Sequence, residues 1–499
     1  MSSQEENGLG APCDWRSGPD INHHSLFLKE TLKLLVDNAV FQATDRNSKV
    51  VEWVEPEDLK KRLDLRLGEE GITHSMLLHY LKNVIRYSVK TGHPYFINQL
   101  FSSLDVYGLV GQWVTDALNP SVYTYEVAPV FTIMENEVLT SMAALVGYTQ
   151  HDGLFAPGGS IANMYGMLLA RYRRFPEIKR SGVSGLGRLV AFTSVDAHYS
   201  NTKSAMTLGL GSDNLVLVNV DEEGRMDVDH LKECVARAKE DGALPFLVTA
   251  TAGTTVLGAY DPLDAIADVC HAEGLWLHAD AAWGGGALLS PKHKHKLRGI
   301  HRSDSITWNP HKLLAAPQQC SVFLTRHLGL LTQCNSASAP YLFQKDKFYD
   351  TKYDIGDKHL QCGRRADVLK FWTMWKAKGT KGLERHIDHL FEMTKLFTEI
   401  IRNREGFKLV LEPQCTNVCF WYEPPSLRGK RDHDQYTLLL NNVAPRIKEK
   451  MVKTGTMMVT YQPLHDRPNF FRLVLQNSQV NSEDMNYFAN QIEVLGRDL

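Results

Sequence analysis

Lys312 closes the run Thr307-Trp308-Asn309-Pro310-His311-Lys312, directly after the strand-like Ser305-Ile306 and before the small-residue run Leu313-Leu314-Ala315-Ala316. A proline that restricts the backbone and two hydrogen-bonding neighbours hold a primary amine at a strand end, a position suited to forming a Schiff base with an aldehyde. Taken alone, the run reads equally well as a turn ending in a solvated lysine. Three upstream segments bear on the choice. In the first, Pro157-Gly158-Gly159-Ser160 feeds a helix whose apolar stripe is Ile161, Met164, Tyr165, Leu168 and Leu169. Such a turn offers free N–H groups to an anion, and Ser160 adds a hydroxyl. An ordinary capped helix start has the same appearance, and no Gly-Lys-Ser/Thr follows to make a Walker motif.

The second segment runs from Leu275 to Gly286 and sets Asp280 at the end of a buried apolar strand. A carboxylate there needs a cation or several donors. A protonated pyridine nitrogen is one such partner, and a plain salt bridge is the alternative. The third, Thr193 to Ser200, carries His198, whose imidazole is able to stack on a flat ring. A lone histidine at a strand end is more often structural, so His198 counts only in combination. An anion seat, a carboxylate for a ring nitrogen, a stacking imidazole and an aldehyde-capturing amine together form the set that holds pyridoxal phosphate.

These residues need a scaffold of short strands alternating with helices. Leu189–Phe192, Leu215–Val218, Phe246–Thr249, Leu275–His278 and Cys320–Phe323 are apolar and strand-like, and Asp261-Pro262 opens a helix that Gly274 closes. The alternation predicts an α/β fold with a mostly parallel sheet and ligands at the carboxyl ends of its strands. Residues 1–22 read as a disordered leader, and 23–100 as a helical segment too thin for its own core, expected to pack on another subunit. Residues 101–370 form the large α/β domain and 371–499 a smaller α+β domain, with a helix near Leu383–Ile401 and strands near Phe407–Leu411, Val418–Tyr422 and Phe470–Leu475.

Fifty-five basic and 57 acidic side chains nearly cancel, which argues against nucleic-acid or membrane partners recruited by bulk charge. The cysteines form no CxxC pair, so the expectation is a reduced, cytoplasmic protein without a metal site. Neither a secretion signal nor an apolar membrane span is read in the chain.

From about Val51 to Leu499 the sequence resembles the group II pyridoxal-phosphate decarboxylases, which have the aspartate aminotransferase-like fold (fold type I). The resemblance implies that Lys312 forms the imine with the cofactor, Asp280 keeps the ring nitrogen protonated and His198 lies over the ring. Thr251 would sit beside the phenolic oxygen, with Ala282 also against the cofactor. Ser160, Ala162, Asn309 and His311 would gather at the phosphate, and Cys362 or Gly363 would reach in from the second subunit of a homodimer. Tyr341, in a polar stretch suited to a lid, matches the tyrosine that protonates Cα. Arg472, in Asn469-Phe470-Phe471-Arg472-Leu473, would grip the substrate α-carboxylate.

Within the family, His93–Phe101 and Gln361-Cys362-Gly363-Arg364-Arg365 look like the acidic-amino-acid branch. Phe101, small in glutamate enzymes, would shorten the substrate pocket, with Gln99 beside it. Tyr95 and Ile97 depart from the Arg and Phe common in the glutamate and cysteine sulfinate enzymes. Pro317-Gln318-Gln319-Cys320 looks most like aspartate 1-decarboxylases, with Gln318 or Gln319 meeting the side-chain acid. The expectation is therefore conversion of L-aspartate to β-alanine together with cysteine sulfinate to hypotaurine. The alternatives are cysteine sulfinate as the main substrate, glutamate, a transaminase or desulfurase on the same fold, and a non-enzymatic pseudoenzyme.

Overall fold

The computed structural model describes residues 21–430 and 435–499. Most of the expected leader lies outside them, but Ile21 already opens the helix Ile21–Leu34, so helix begins two residues before the leader was expected to end.

Seven strands build the central sheet: β1 (Asp152–Ala156), β2 (Leu189–Ser194), β3 (Leu215–Val218), β4 (Leu244–Thr251), β5 (Trp276–Asp280), β6 (Ser305–Trp308) and β7 (Ser321–Thr325), in the order β1-β7-β6-β5-β4-β2-β3. Every residue of β2, β5, β6 and β7 is buried, as expected of strands covered by helices on both faces. Only β7 runs against its neighbours β1 and β6; β6, β5, β4, β2 and β3 are parallel. Register places Thr251 beside Asp280 and Asp280 beside Thr307. One edge therefore gathers the carboxyl ends of β4, β5 and β6, with the turn after β2 alongside.

A second, antiparallel sheet follows: β8 (Phe407–Leu409), β9 (Asn417–Tyr422), β10 (Thr460–Leu464) and β11 (Arg467–Val474), ordered β10-β11-β9-β8. The helices Val368–Asn403, Tyr436–Thr454 and Ser482–Gly496 share its apolar cluster through Phe397, Ile447 and Phe488. The first of these kinks at Gly379, whose φ of 63° interrupts the helix.

The segment expected to pack on another subunit is also anchored in its own chain. Val50, Tyr95, Phe96 and Ile97 join the small-sheet cluster, the Ile97 N–H donates to Met458 O at 3.0 Å, and Ile97 O accepts from the Val474 N–H at 3.1 Å. The helices Ile21–Leu34 and His74–Tyr87 nevertheless leave Leu28, Leu32, Met76 and Val84 exposed. Among the described residues no helix is long and apolar enough to cross a membrane.

Candidate active site

A cavity of about 250 Å³ opens at the carboxyl ends of β2, β4, β5 and β6. Its anion end is the turn Pro157–Ser160. Gly158 adopts φ 107°, a conformation that costs any L side chain, and a Cβ there would stand 3.3 Å from Gln319 Oε1. At Gly159 the constraint is closer, since an added Cβ would lie 2.5 Å from Asn309 Nδ2. The helix Gly159–Arg174 makes its first backbone bond from the Ala162 N–H to Gly158 O at 3.1 Å, which leaves the three preceding N–H groups without helix partners. Asn309 Oδ1 and Thr251 Oγ1 are buried without a partner, a costly state unless something else fills the site.

Asp280 stands at the end of β5, 4% exposed. Asn163 Nδ2 donates to its Oδ2 at 2.8 Å and the Ala282 N–H to its Oδ1 at 3.1 Å. Lys312 follows β6 in a turn closed by its N–H on Asn309 O at 2.9 Å, and Gln476 Nε2 donates to the Lys312 carbonyl. Burial pushes the Lys312 ammonium below its ordinary range and nearby Arg472 adds to this, while Asp280 pulls the other way. An amine so placed reaches its neutral, nucleophilic form more easily. Burial likewise pushes His198 down, and His311 down to about 4. Orphaned donors and acceptors at the anion turn, a held carboxylate and a depressed lysine fit a phosphorylated pyridine aldehyde.

Of the residues expected from sequence, Ser160, His198, Thr251, Asp280 and Ala282 line this cavity, as do Asn309, His311, Lys312, Gln318 and Gln319. Ala162 does not: it is fully buried one helical step inward, its N–H already bonded to Gly158. Arg472 is buried behind the wall, donating from Nη1 to Thr255 O at 2.9 Å and from Nη2 to Asn98 O at 3.5 Å, with Nε unpartnered. Gln99 and Phe101 do not line the cavity: Gln99 is exposed next to Asn98, and the Phe101 ring centroid is 6.3 Å from that of Phe96. Tyr341, 79% exposed, and the exposed Cys362 and Gly363 do not line the cavity of this chain.

Sequence reasoning passed over Asn163, Ser200 and His278. Asn163 lies in mid-helix and His278 in mid-strand, where neither spacing nor neighbours single them out. His278 shares β5 with Asp280, the packing of the helix Gly159–Arg174 on β5 brings Asn163 to both, and Ser200, at the start of the helix Ser200–Thr207, meets Asn163 there.

Residues 56–423 match the pyridoxal-dependent decarboxylase conserved domain. Cysteine sulfinic acid decarboxylase of Mus musculus is 54% identical over 473 residues, which cover 95% of this chain and 96% of that protein. Acidic amino acid decarboxylase GADL1 of Bos taurus is 51% identical over 486 residues, or 97% of this chain and 93% of that one. The crystal structure of mouse CSAD superposes with a TM-score of 0.95 at 52% identity, over 96% of this chain and 100% of that one.

Proposed function

The chain belongs to the group II pyridoxal-phosphate-dependent decarboxylases, in their acidic-amino-acid branch, and from that premise we propose how its residues divide the work and which acid they favour. It is a carboxy-lyase that uses pyridoxal 5'-phosphate to decarboxylate an acidic amino acid. The observation that carries the assignment of roles is the convergence of Lys312, Asp280 and the Pro157–Ser160 turn on one cavity.

When bound, the cofactor supplies an aldehyde to receive an amine and an electron-poor ring to accept the electron pair that departing carbon dioxide leaves on Cα. Lys312 provides the amine that anchors it. Asp280 would accept a hydrogen bond from a proton-bearing ring nitrogen, and His198, Thr251 and Ala282 would line the space for the ring. The orphan N–H groups at the helix start, the Ser160 hydroxyl, Asn309 and His311 receive the phosphate. Ala162 packs its methyl into the core one step behind the turn. Arg472 would hold the substrate α-carboxylate and so orient the bond to be broken. Tyr341 returns a proton to Cα.

Tyr341, Cys362 and Gly363 complete the site across a homodimer interface. The exposed stripe Val106, Val110, Val114 and Leu118, with Val127, Val130 and Ile133 nearby, supports such a contact, because an apolar patch of this kind marks an interaction surface.

Cysteine sulfinate is the main substrate, with aspartate second and glutamate excluded by length. This reverses the order expected from the Pro317-Gln318-Gln319-Cys320 segment, because the curated relatives include cysteine sulfinic acid decarboxylases at 54% and 53% identity. Gln318 and Gln319 offer neutral donors to either side-chain acid, and Lys312 is the sole Lys or Arg on the cavity wall among the described residues. Phe101, by its bulk, limits the length between the two acid groups. A competition assay with cysteine sulfinate, aspartate and glutamate together tests this order; preferential consumption of glutamate or aspartate would refute it.

A further inference from the structure

A buried run of hydrogen bonds leads from Trp276 to Asp280, and its carboxylate end fixes its sense. An indole N–H only donates, and a carboxylate only accepts. Between them lie Trp276 Nε1 to Ser305 Oγ at 2.9 Å, Ser305 Oγ to His278 Nδ1 at 2.8 Å, His278 Nε2 to Asn163 Oδ1 at 3.1 Å and Asn163 Nδ2 to Asp280 Oδ2 at 2.8 Å. The carboxylate requires the NH2 side of the Asn163 amide. The amide oxygen then faces His278, which must carry its proton on Nε2. Nδ1 is left to accept the Ser305 hydroxyl, whose oxygen takes the indole N–H. Thr307 Oγ1, 3.3 Å from Nε2, shares the same proton.

Asn163 also branches toward the other face of the cofactor site. Its Nδ2 donates to Ser200 Oγ at 2.9 Å, and Ser200 Oγ lies 2.8 Å from His198 Nδ1, which also receives the Ser200 N–H at 3.2 Å. A ring nitrogen that accepts a backbone N–H carries no proton of its own, so the neutral His198 is protonated on Nε2. His278, Ser305 and Ser200 are fully buried and Asn163 nearly so. Burial pushes His278 down to about 4, leaving it neutral at physiological pH.

We propose that His278 and Asn163 are positioning residues: the His278 Nε2–H, donating to Asn163 Oδ1, locks the amide with its NH2 toward Asp280, and Asn163 then holds Asp280 as an acceptor aimed at the cofactor's ring nitrogen. His278 is fully buried, and Asn163, though it reaches the cavity wall, acts through Asp280. The inference rests on the reading of Asp280 given above.

The test measures pyridoxal-phosphate affinity of the apoprotein, with kcat and KM of the holoenzyme, in His278→Leu, His278→Gln, Asn163→Leu and Asp280→Asn. His278→Leu and Asn163→Leu should each weaken cofactor binding at least about tenfold and lower kcat, leaving KM within about twofold. His278→Gln, whose amide retains a donor and an acceptor, should recover most of that loss. Wild-type affinity in both leucine variants overturns the proposal, as does a glutamine variant no better than leucine, which would make the ring a filler. Ser305→Ala, which removes one hydroxyl from the same run, replaces His278→Leu if that variant does not fold; cofactor affinity equal to wild type then overturns the proposal. If Asp280→Asn itself binds the cofactor normally, the role of Asp280 falls and the relay with it. A loss in Asp280→Asn with none in the leucine variants removes the relay alone.

Discussion

Gly166 and His278 occupy one space: a Cβ added to Gly166 would lie 2.5 Å from His278 Nδ1 and 2.7 Å from Cε1. The helix that begins at the anion turn can therefore lie against β5 only if this position has no side chain. The same close packing seats the imidazole beneath Asn163.

Gly166→Ala should cost about 1–3 kcal/mol of stability through overpacking, and it should weaken cofactor binding by displacing the ring. Urea unfolding and a cofactor titration check both effects. An alanine variant with wild-type affinity would show that the ring position does not matter to the site.

Arg472→Lys should raise KM at least about tenfold, the cost of losing a charge-assisted bidentate contact, with cofactor affinity almost unchanged. Steady-state kinetics with cysteine sulfinate decide this. An unchanged KM would place the α-carboxylate elsewhere.

Val110→Asp combined with Val114→Asp puts two charges on the exposed stripe of the helix Val106–Leu118. If that stripe is the dimer face, the variant should sediment as a monomer and lose activity, because burying unpaired charge costs several kcal/mol. A stable, fully active dimer would contradict the interface.

Acid should destabilise the apoprotein. Burial pushes His278, His311 and His386 each down to about 4, while an unfolded histidine titrates near 6.5. Above that pH both states are neutral and the contribution is intact. As pH falls from about 6.5 toward about 4 the unfolded chain takes up protons that the folded chain refuses, at roughly 2 kcal/mol per histidine by pH 5. Asp261, pushed up to about 7 by burial, acts in the opposite sense: from about pH 7 down to about 3.8 its folded form keeps a proton that the unfolded form releases, which offsets roughly one histidine. The urea midpoint should accordingly drop between pH 7 and pH 5. A midpoint that holds or rises would contradict this balance.

The parts of the site that lie in continuous stretches were legible in the sequence. The Pro157–Ser160 turn, Asp280 at a strand end and Lys312 after Asn-Pro-His each declare themselves within a few residues, and the strands that carry them are short apolar runs. β1 escaped notice because Asp152-Gly153-Leu154-Phe155-Ala156 has no β-branched residue, and it finds its place through pairing with β7 across more than 160 residues of chain. β7 is likewise apolar like its neighbours, and its reversed direction left no local mark. Asn163, Ser200 and His278 were hidden for a related reason: each is ordinary where it stands, and its chemistry arises from a contact made between elements. Arg472 was found by resemblance, while its burial behind Thr255 is a matter of how the small sheet docks on the large one.

A covalent link between Lys312 and the cofactor underlies every role assigned above, and borohydride reduction of the cofactor-loaded protein followed by peptide mapping tests it directly. The label should fall on the peptide containing Lys312 and be absent from Lys312→Ala. Label on another lysine, or on none, would contradict the account.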